Sequence, residues 1–215
     1  MAKTQPEPIR DPKTDHLLTP ENCALVLIDY QPEQYRTITS STREEIDLNV
    51  IALCKLALAY DVPVIVSTVG VDMGVNTGTA EEILAELPGV SEIDRTGVNA
   101  WEDEEFRKAI EATGRKNIVM AGLWTEVCLT FPTLDMQAEG YHVYPVADAV
   151  GGVSPVAHDQ ALDRMRQAGA TPITAIQFGS ELMRNWARES SDKFRKVLQW
   201  YFPKRFGLMK DGKIG

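Results

Sequence analysis

Three residues with chemically active side chains lie at the ends of predicted strands. Asp29 closes the apolar run ALVLID, Arg95 ends a weaker strand candidate, and Cys128 follows a third strand at the start of a helix. In an open parallel sheet, groups at the carboxyl ends of the strands share one crevice. A carboxylate, a permanent cation and a thiol in this position predict a nucleophilic cysteine with Asp29 as its base.

Cys128 supports this prediction most strongly. It falls in the first turn of a helix predicted at 126–139, where the helix dipole and free backbone N–H groups favour a thiolate. The same N–H groups could bind a developing oxyanion. The alternative is a cysteine that packs as a buried apolar residue, which is our interpretation of Cys23 and Cys54.

Asp29 and Arg95 also have structural interpretations. Asp29 could cap the turn that follows its strand. Arg95 is the only basic residue between positions 81 and 105, among nine acidic residues, so a surface salt bridge to Asp94 or Glu92 would also account for it. These residue types alone leave both alternatives open.

Three sequence blocks resemble the signature blocks of the isochorismatase-like cysteine hydrolases, most closely the YcaC-type branch. They are VLIDYQ around Asp29, DRTGVNAW around Arg95 and AGLWTEVCLTFPTLDMQAEGYHVYPVADAV around Cys128. With AHDQALDRMRQAGA, the resemblance covers roughly residues 20–187. It implies a three-layer α/β/α sandwich with a six-stranded parallel sheet and an Asp–Lys–Cys triad. Arg95 falls where most of the superfamily has lysine.

The resemblance also implies details of the site. A cis peptide is expected at Trp124–Thr125, with the backbone N–H groups of Thr125 and Cys128 forming an oxyanion hole. Asp29 would take the thiol proton, and Arg95, which cannot deprotonate, would act electrostatically by keeping Asp29 ionised and favouring the thiolate. These roles predict hydrolysis of a C–N bond in a small amide or ureido substrate through a thioester on Cys128.

Seven residues beside these blocks are candidates for the substrate pocket. Trp124 could stack on a planar substrate or pack in a subunit interface, and Asn99 could position the substrate or close a turn. The full set is Tyr30, Gln31, Tyr35, Val69, Asn99, Trp101 and Trp124.

Neither a metal nor a cofactor is expected. The three histidines are scattered, and residues 67–74 lack the histidines of a metal-dependent nicotinamidase. The sequence contains no GxxxxGK[ST] loop and no GxGxxG. The predicted enzyme therefore acts on a small molecule without a cofactor. The competing hypotheses are a non-catalytic small-molecule binder and a thiol redox sensor, each a homo-oligomer on the same fold.

Apolar runs alternate with helical patterns along the chain, which predicts a parallel sheet covered on both faces. We expect one domain over residues 1–215, with an N-terminal arm at 1–20 and a C-terminal extension at 190–215. Strands are predicted at 24–30, 63–69, 91–96, 117–123, 142–147 and 172–177, and helices at 43–60, 79–87, 104–113, 126–139, 155–168 and 180–189.

The charge of the chain excludes some partners. Its 22 basic and 31 acidic residues give a net charge of −9, which argues against nucleic acid and against an anionic membrane. No apolar run approaches the length of a membrane span, and the polar N-terminus with three scattered cysteines predicts a cytoplasmic protein.

The charge is also uneven along the chain. Residues 188–215 contain eight basic and three acidic residues, a net +5, which leaves −14 for residues 1–187. The basic segment is predicted to be either a solvated tail or a segment that docks on an acidic neighbouring subunit. The family resemblance implies a homo-oligomer.

Overall fold

Five parallel strands form the sheet in the part of the chain that the structure, a computed structural model, describes, residues 5–214. The strand order is β3-β2-β1-β4-β5, and all six residues of the central strand are buried. This arrangement confirms the predicted parallel α/β fold. The strands are β1 Cys23–Ile28, β2 Val64–Val69, β3 Glu92–Arg95, β4 Asn117–Gly122 and β5 His142–Pro145.

The helices that cover the sheet form two groups, and the helices within each group pack on one another. The second, seventh and eighth helices pack together, and the fifth packs on the sixth and on a short 3₁₀ turn at Ala100–Glu102. Side-chain caps from Thr42, Asp103 and Ser154 begin three of them. The helices are α1 Pro32–Tyr35, α2 Arg43–Ala59, α3 Glu81–Leu84, α4 Glu104–Ala112, α5 Thr130–Ala138, α6 Pro155–Gln167, α7 Ala175–Met183 and α8 Ser191–Lys210.

The sixth strand, predicted at 172–177, is reduced to one bridge between Val146 and Ile173. The chain turns into α7 immediately afterwards, because the Thr174 side chain accepts a hydrogen bond from the Gln177 N–H and caps the helix. The helix predicted at 180–189 is therefore wrong in its bounds. It begins five residues earlier and ends at Met183, and Arg184, which caps its C-terminus, has a φ of +63°.

The C-terminal extension is the 20-residue helix α8, so the prediction of a solvated tail is wrong. Its buried face includes Phe194, Val197 and Tyr201, and the Tyr201 hydroxyl donates to Asn49 Oδ1 of α2 at 2.8 Å. Lys213 lies 3.1 Å from Glu44 at the start of α2. The acidic partner of Lys213 therefore belongs to the same chain.

The described part of the N-terminal arm is mostly exposed but attached at its end. The backbone N–H of Leu18 donates to Glu181 of α7 at 2.7 Å, and Asp15 forms an ion pair with Arg184 at 3.1 Å. Residues 1–4 of the predicted arm lie outside the described residues. Among residues 5–214, no helix is both long enough and apolar enough to cross a membrane.

Candidate active site

The strand order brings the three predicted catalytic residues to one edge of the sheet. Asp29 directly follows β1, Arg95 is the last residue of β3, and Cys128 lies in the turn after β4. Because β1 lies between β2 and β4, the Asp29 carboxylate stands between the other two groups. Asp29 has a φ of +59°, a left-handed conformation that turns the chain out of the strand.

Asp29 and Arg95 form a buried, two-pronged ion pair. Nη1 and Nη2 of Arg95 each lie 2.7 Å from one carboxylate oxygen of Asp29, and neither side chain is exposed to solvent. The surface salt bridge to Asp94 or Glu92 is therefore the wrong interpretation of Arg95. The capping interpretation of Asp29 is also wrong, because its two oxygens bind the guanidinium and α1 begins without a side-chain cap.

The strand β2, which lies between β1 and β3, explains why an arginine suits position 95. Arg95 crosses β2, and its Nη1 also donates to Ser67 Oγ at 3.1 Å and to the Thr68 carbonyl at 3.0 Å. Burial alone would lower the pKa of Arg95, but the hydrogen bonds and the charge of Asp29 raise it above its ordinary value. A lysine ammonium could not make the planar fork and reach both groups of β2 at once.

The environment of Cys128 keeps it a thiol at rest. The residue is only 7% exposed, and burial raises the pKa of the thiol to about 12. The charge of Asp29 and the hydrogen bond from the thiol to that carboxylate also contribute to this raised pKa, against smaller lowering effects of the Trp124 N–H and Arg95. The expectation that the start of the helix favours a thiolate at Cys128 is therefore wrong. The thiol lies instead beside the carboxylate that would accept its proton.

The turn that carries Cys128 is π-helical over Thr125–Leu129 and continues directly into α5. Its cis peptide lies at Leu123–Trp124, one residue before the predicted position. The backbone N–H that faces the Cys128 sulfur is that of Trp124. The N–H of Thr125 donates instead to the Gly151 carbonyl at 3.0 Å, so Thr125 is wrong as an oxyanion donor.

Several residues outside the predicted site hold this turn. Thr125 Oγ1 lies 3.0 Å from His158 Nδ1 at the start of α6, and Thr130 Oγ1 donates to the Thr125 carbonyl at 2.6 Å. Gly151, whose carbonyl receives the Thr125 N–H, leaves no space for a Cβ, which would lie 2.6 Å from a methyl group of Ile38. No motif in the sequence indicates these contacts.

Three of the pocket candidates have structural hydrogen bonds. The Tyr30 hydroxyl donates to the Ala149 carbonyl at 2.6 Å, and the Tyr35 hydroxyl donates to Asp47 at 2.6 Å. The Gln31 amide donates to the carbonyls of Val69 and Thr77 and accepts from the Val69 N–H. Tyr30 and Gln31 therefore hold backbone segments near the triad, whereas Tyr35 joins α1 to α2.

Two further candidates face α5 rather than the triad. Asn99 donates to Asp135 at 2.7 Å and caps the 3₁₀ turn, and the Trp101 indole donates to Glu139 at 2.9 Å. Both therefore position the segment after Arg95. Trp124 differs from them, because it is half-buried, its indole donates to Thr37, and its backbone N–H faces the thiol.

Comparison with known proteins agrees with this arrangement. The isochorismatase domain model matches residues 23–177. A protein of Escherichia coli described as the probable hydrolase YcaC is 35% identical over 173 residues, which cover 80% of this chain and 83% of that protein.

Two solved structures have the same fold over almost their whole length. YcaC from Pseudomonas aeruginosa, with hexane-2,5-diol and covalent acrylamide, has a TM-score of 0.84 and 34% identity, and the match covers 92% of this chain and 98% of that one. The YcaC structure from E. coli, described as an octameric hydrolase of unknown specificity, has a TM-score of 0.83 and 33% identity, covering 93% and 97%. The chain therefore belongs to the isochorismatase family of hydrolases.

Proposed function

We propose that this protein is a cysteine hydrolase that cleaves a C–N bond of a small amide or ureido substrate. The observation that carries the proposal is the placement of the buried Cys128 thiol beside the Asp29 carboxylate, which is itself held by both terminal nitrogens of Arg95. A thiol with a proton acceptor beside it, and a fixed cation behind that acceptor, is the arrangement that nucleophilic catalysis requires.

Acylation begins with transfer of the Cys128 proton to Asp29. The sulfur attacks the carbonyl carbon, and the carbonyl oxygen becomes an oxyanion held by the backbone N–H groups of Trp124 and Cys128. The tetrahedral intermediate collapses as Asp29 returns the proton to the nitrogen. The amine leaves, and the acyl group remains on sulfur as a thioester.

Deacylation repeats the proton transfers with water. Asp29 takes a proton from a water molecule, whose oxygen attacks the thioester carbon. The sulfur leaves and recovers its proton from Asp29, which restores the starting state and releases the acid. Arg95 holds the carboxylate in place and compensates its charge throughout, without exchanging a proton.

The P. aeruginosa relative supports the nucleophile. Its structure contains covalent acrylamide. Acrylamide is a primary amide and also an electrophile that captures thiolates. At 34% identity over nearly the full chain, we extend this reactivity to Cys128.

The redox-sensor alternative finds less support. Oxidation by peroxides proceeds through the thiolate, and redox-sensing cysteines are exposed and have low pKa values. Cys128 is 7% exposed, with a pKa of about 12.

We further propose a homo-oligomer, because the E. coli relative is described as octameric. An exposed apolar strip on α8 is available for such contacts, where the stacked rings of Phe202 and Phe206 are 39% and 61% exposed. Light scattering after size-exclusion chromatography tests this proposal, and a monomer at micromolar concentration would contradict it.

A panel of small amides, ureides and carbamoyl compounds, assayed for released ammonia, tests the function. We expect turnover of at least one compound, loss of turnover in Cys128→Ser, and retained turnover in Cys54→Ala, which alters a buried thiol outside the site. Absence of ammonia across the panel, or undiminished turnover in Cys128→Ser, would contradict the proposal.

A further inference from the structure

A cavity lies at the amino ends of the strands, on the opposite side of the sheet from the triad. It has a volume of about 700 Å³ and is lined by residues from the N-terminal arm and from the amino ends of β1, β4 and β5. Volumes of about 300–1,000 Å³ are usual for sites that bind small molecules. None of the residues that line this cavity belongs to the proposed catalytic site.

The lining is unusually basic for an acidic chain. Lys13, Arg115 and Lys116 contribute three cations, and the carboxylates are those of Asp15 and Glu21. Arg10 lies 2.9 Å from Asp15, and Arg184, from α7, lies 3.1 Å from it, so the charge of Asp15 is already compensated by residues outside the cavity. Glu21 remains as the one lining carboxylate opposed to three cations.

Arg115 has an unused hydrogen-bond donor. Its Nε is buried and has no hydrogen-bond partner among residues 5–214. A buried donor without an acceptor costs about 1–3 kcal/mol. His16 and His142 add ring nitrogens to the same wall, and Tyr144 adds an aromatic surface.

We propose that this cavity binds a small phosphorylated organic anion. A phosphate monoester carries a charge of about −1.5 to −2 with three acceptor oxygens, which matches the excess of cations better than a single carboxylate does. Arginine presents the planar N–H pair that suits a phosphate, and lysines complete the charge. The volume leaves room for an organic group against Tyr144. This inference is independent of the proposed hydrolase activity.

Isothermal titration calorimetry at low ionic strength with AMP, ribose 5-phosphate, inorganic phosphate and citrate tests the proposal. We expect saturable binding of a phosphate ester and weaker binding of citrate. The affinity should fall about tenfold or more in Arg115→Gln and in Lys13→Gln, since each loses one charged hydrogen bond. Lys13 is exposed, so its variant tests the site even if Arg115→Gln does not fold.

Two controls locate the binding. Lys196→Gln removes the same charge from an exposed position on α8, and Cys128→Ser alters the catalytic site; both should bind like the wild type. Three results would overturn the proposal: no binding of any phosphate probe below about 10 mM, an affinity unchanged in Lys13→Gln or lowered equally in Lys196→Gln, or citrate binding as tightly as the phosphate esters.

Discussion

Replacing Asp29 with asparagine should make Cys128 easier to ionise and yet abolish catalysis. With a pKa of about 12, about one wild-type molecule in 10⁴ carries the thiolate at pH 8. The charge of Asp29 and its hydrogen bond hold this pKa up, while Arg95 lowers it. Removing a neighbouring like charge lowers a pKa by about 1–3 units, so the thiolate fraction should rise about 10- to 1,000-fold. Hydrolysis should fall about 10²- to 10⁴-fold, because the proton acceptor is lost.

The assay is iodoacetamide labelling between pH 7 and 10, with peptide mapping to assign the modified cysteine. Wild-type labelling at Cys128 should rise about tenfold per pH unit without reaching a plateau. Asp163→Asn, which removes an exposed carboxylate on α6, should label like the wild type. Circular dichroism should verify folding, since Asp29→Asn leaves Arg95 buried without its partner at a cost of about 3–5 kcal/mol. A folded Asp29→Asn variant that labels no faster than the wild type would refute this reasoning.

Three further predictions concern the ion pair, the C-terminal helix and the buried thiols. Arg95→Lys keeps the charge but loses the fork, so kcat/KM should fall about 10- to 100-fold in an amide assay, and wild-type kinetics would contradict the positioning role. Truncation after Glu189 removes α8 and exposes the apolar faces of α2 and α7. Thermal denaturation should show that the free energy of unfolding falls by at least about 5 kcal/mol, and an unchanged Tm would contradict the packing of α8 on these helices. All three cysteines have pKa values of about 12, above their ordinary 9.0, so the stability that they contribute is complete below pH 9 and is lost as the pH rises towards 12. Urea denaturation from pH 8 to 10.5 should show this decline, and Cys54→Ala should make it shallower; an equal slope in that variant would contradict the assignment.

The convergence of the triad could be predicted from the sequence because it depends on topology. Asp29, Arg95 and Cys128 each follow or end a strand, and parallel strands place their carboxyl ends together. The protonation state of Cys128 could not be predicted in this way. The helix dipole acts through the local chain, so its effect on Cys128 can be expected from the sequence. The burial and the Asp29 charge that raise the pKa of the thiol come from tertiary packing.

The errors in secondary structure also have physical causes. The run at 172–177 is short and apolar, and such a run is typical both of a strand and of the start of a buried helix. The Thr174 side chain caps α7, so the chain becomes helical from Ala175. The helix α8 did leave a signal in the sequence. Phe194, Val197 and Tyr201 recur at helical spacing, and that spacing predicts the face that packs on α2.

The central claim is that Cys128 carries the acyl group during turnover. Rapid acid quenching during hydrolysis of an amide substrate, followed by peptide mass spectrometry, measures this directly. The mechanism predicts the mass of the acyl group on the Cys128 peptide, its release by hydroxylamine, and its absence in Cys128→Ala. Continued ammonia release by Cys128→Ala, or an acyl group found on another residue, would contradict the mechanism.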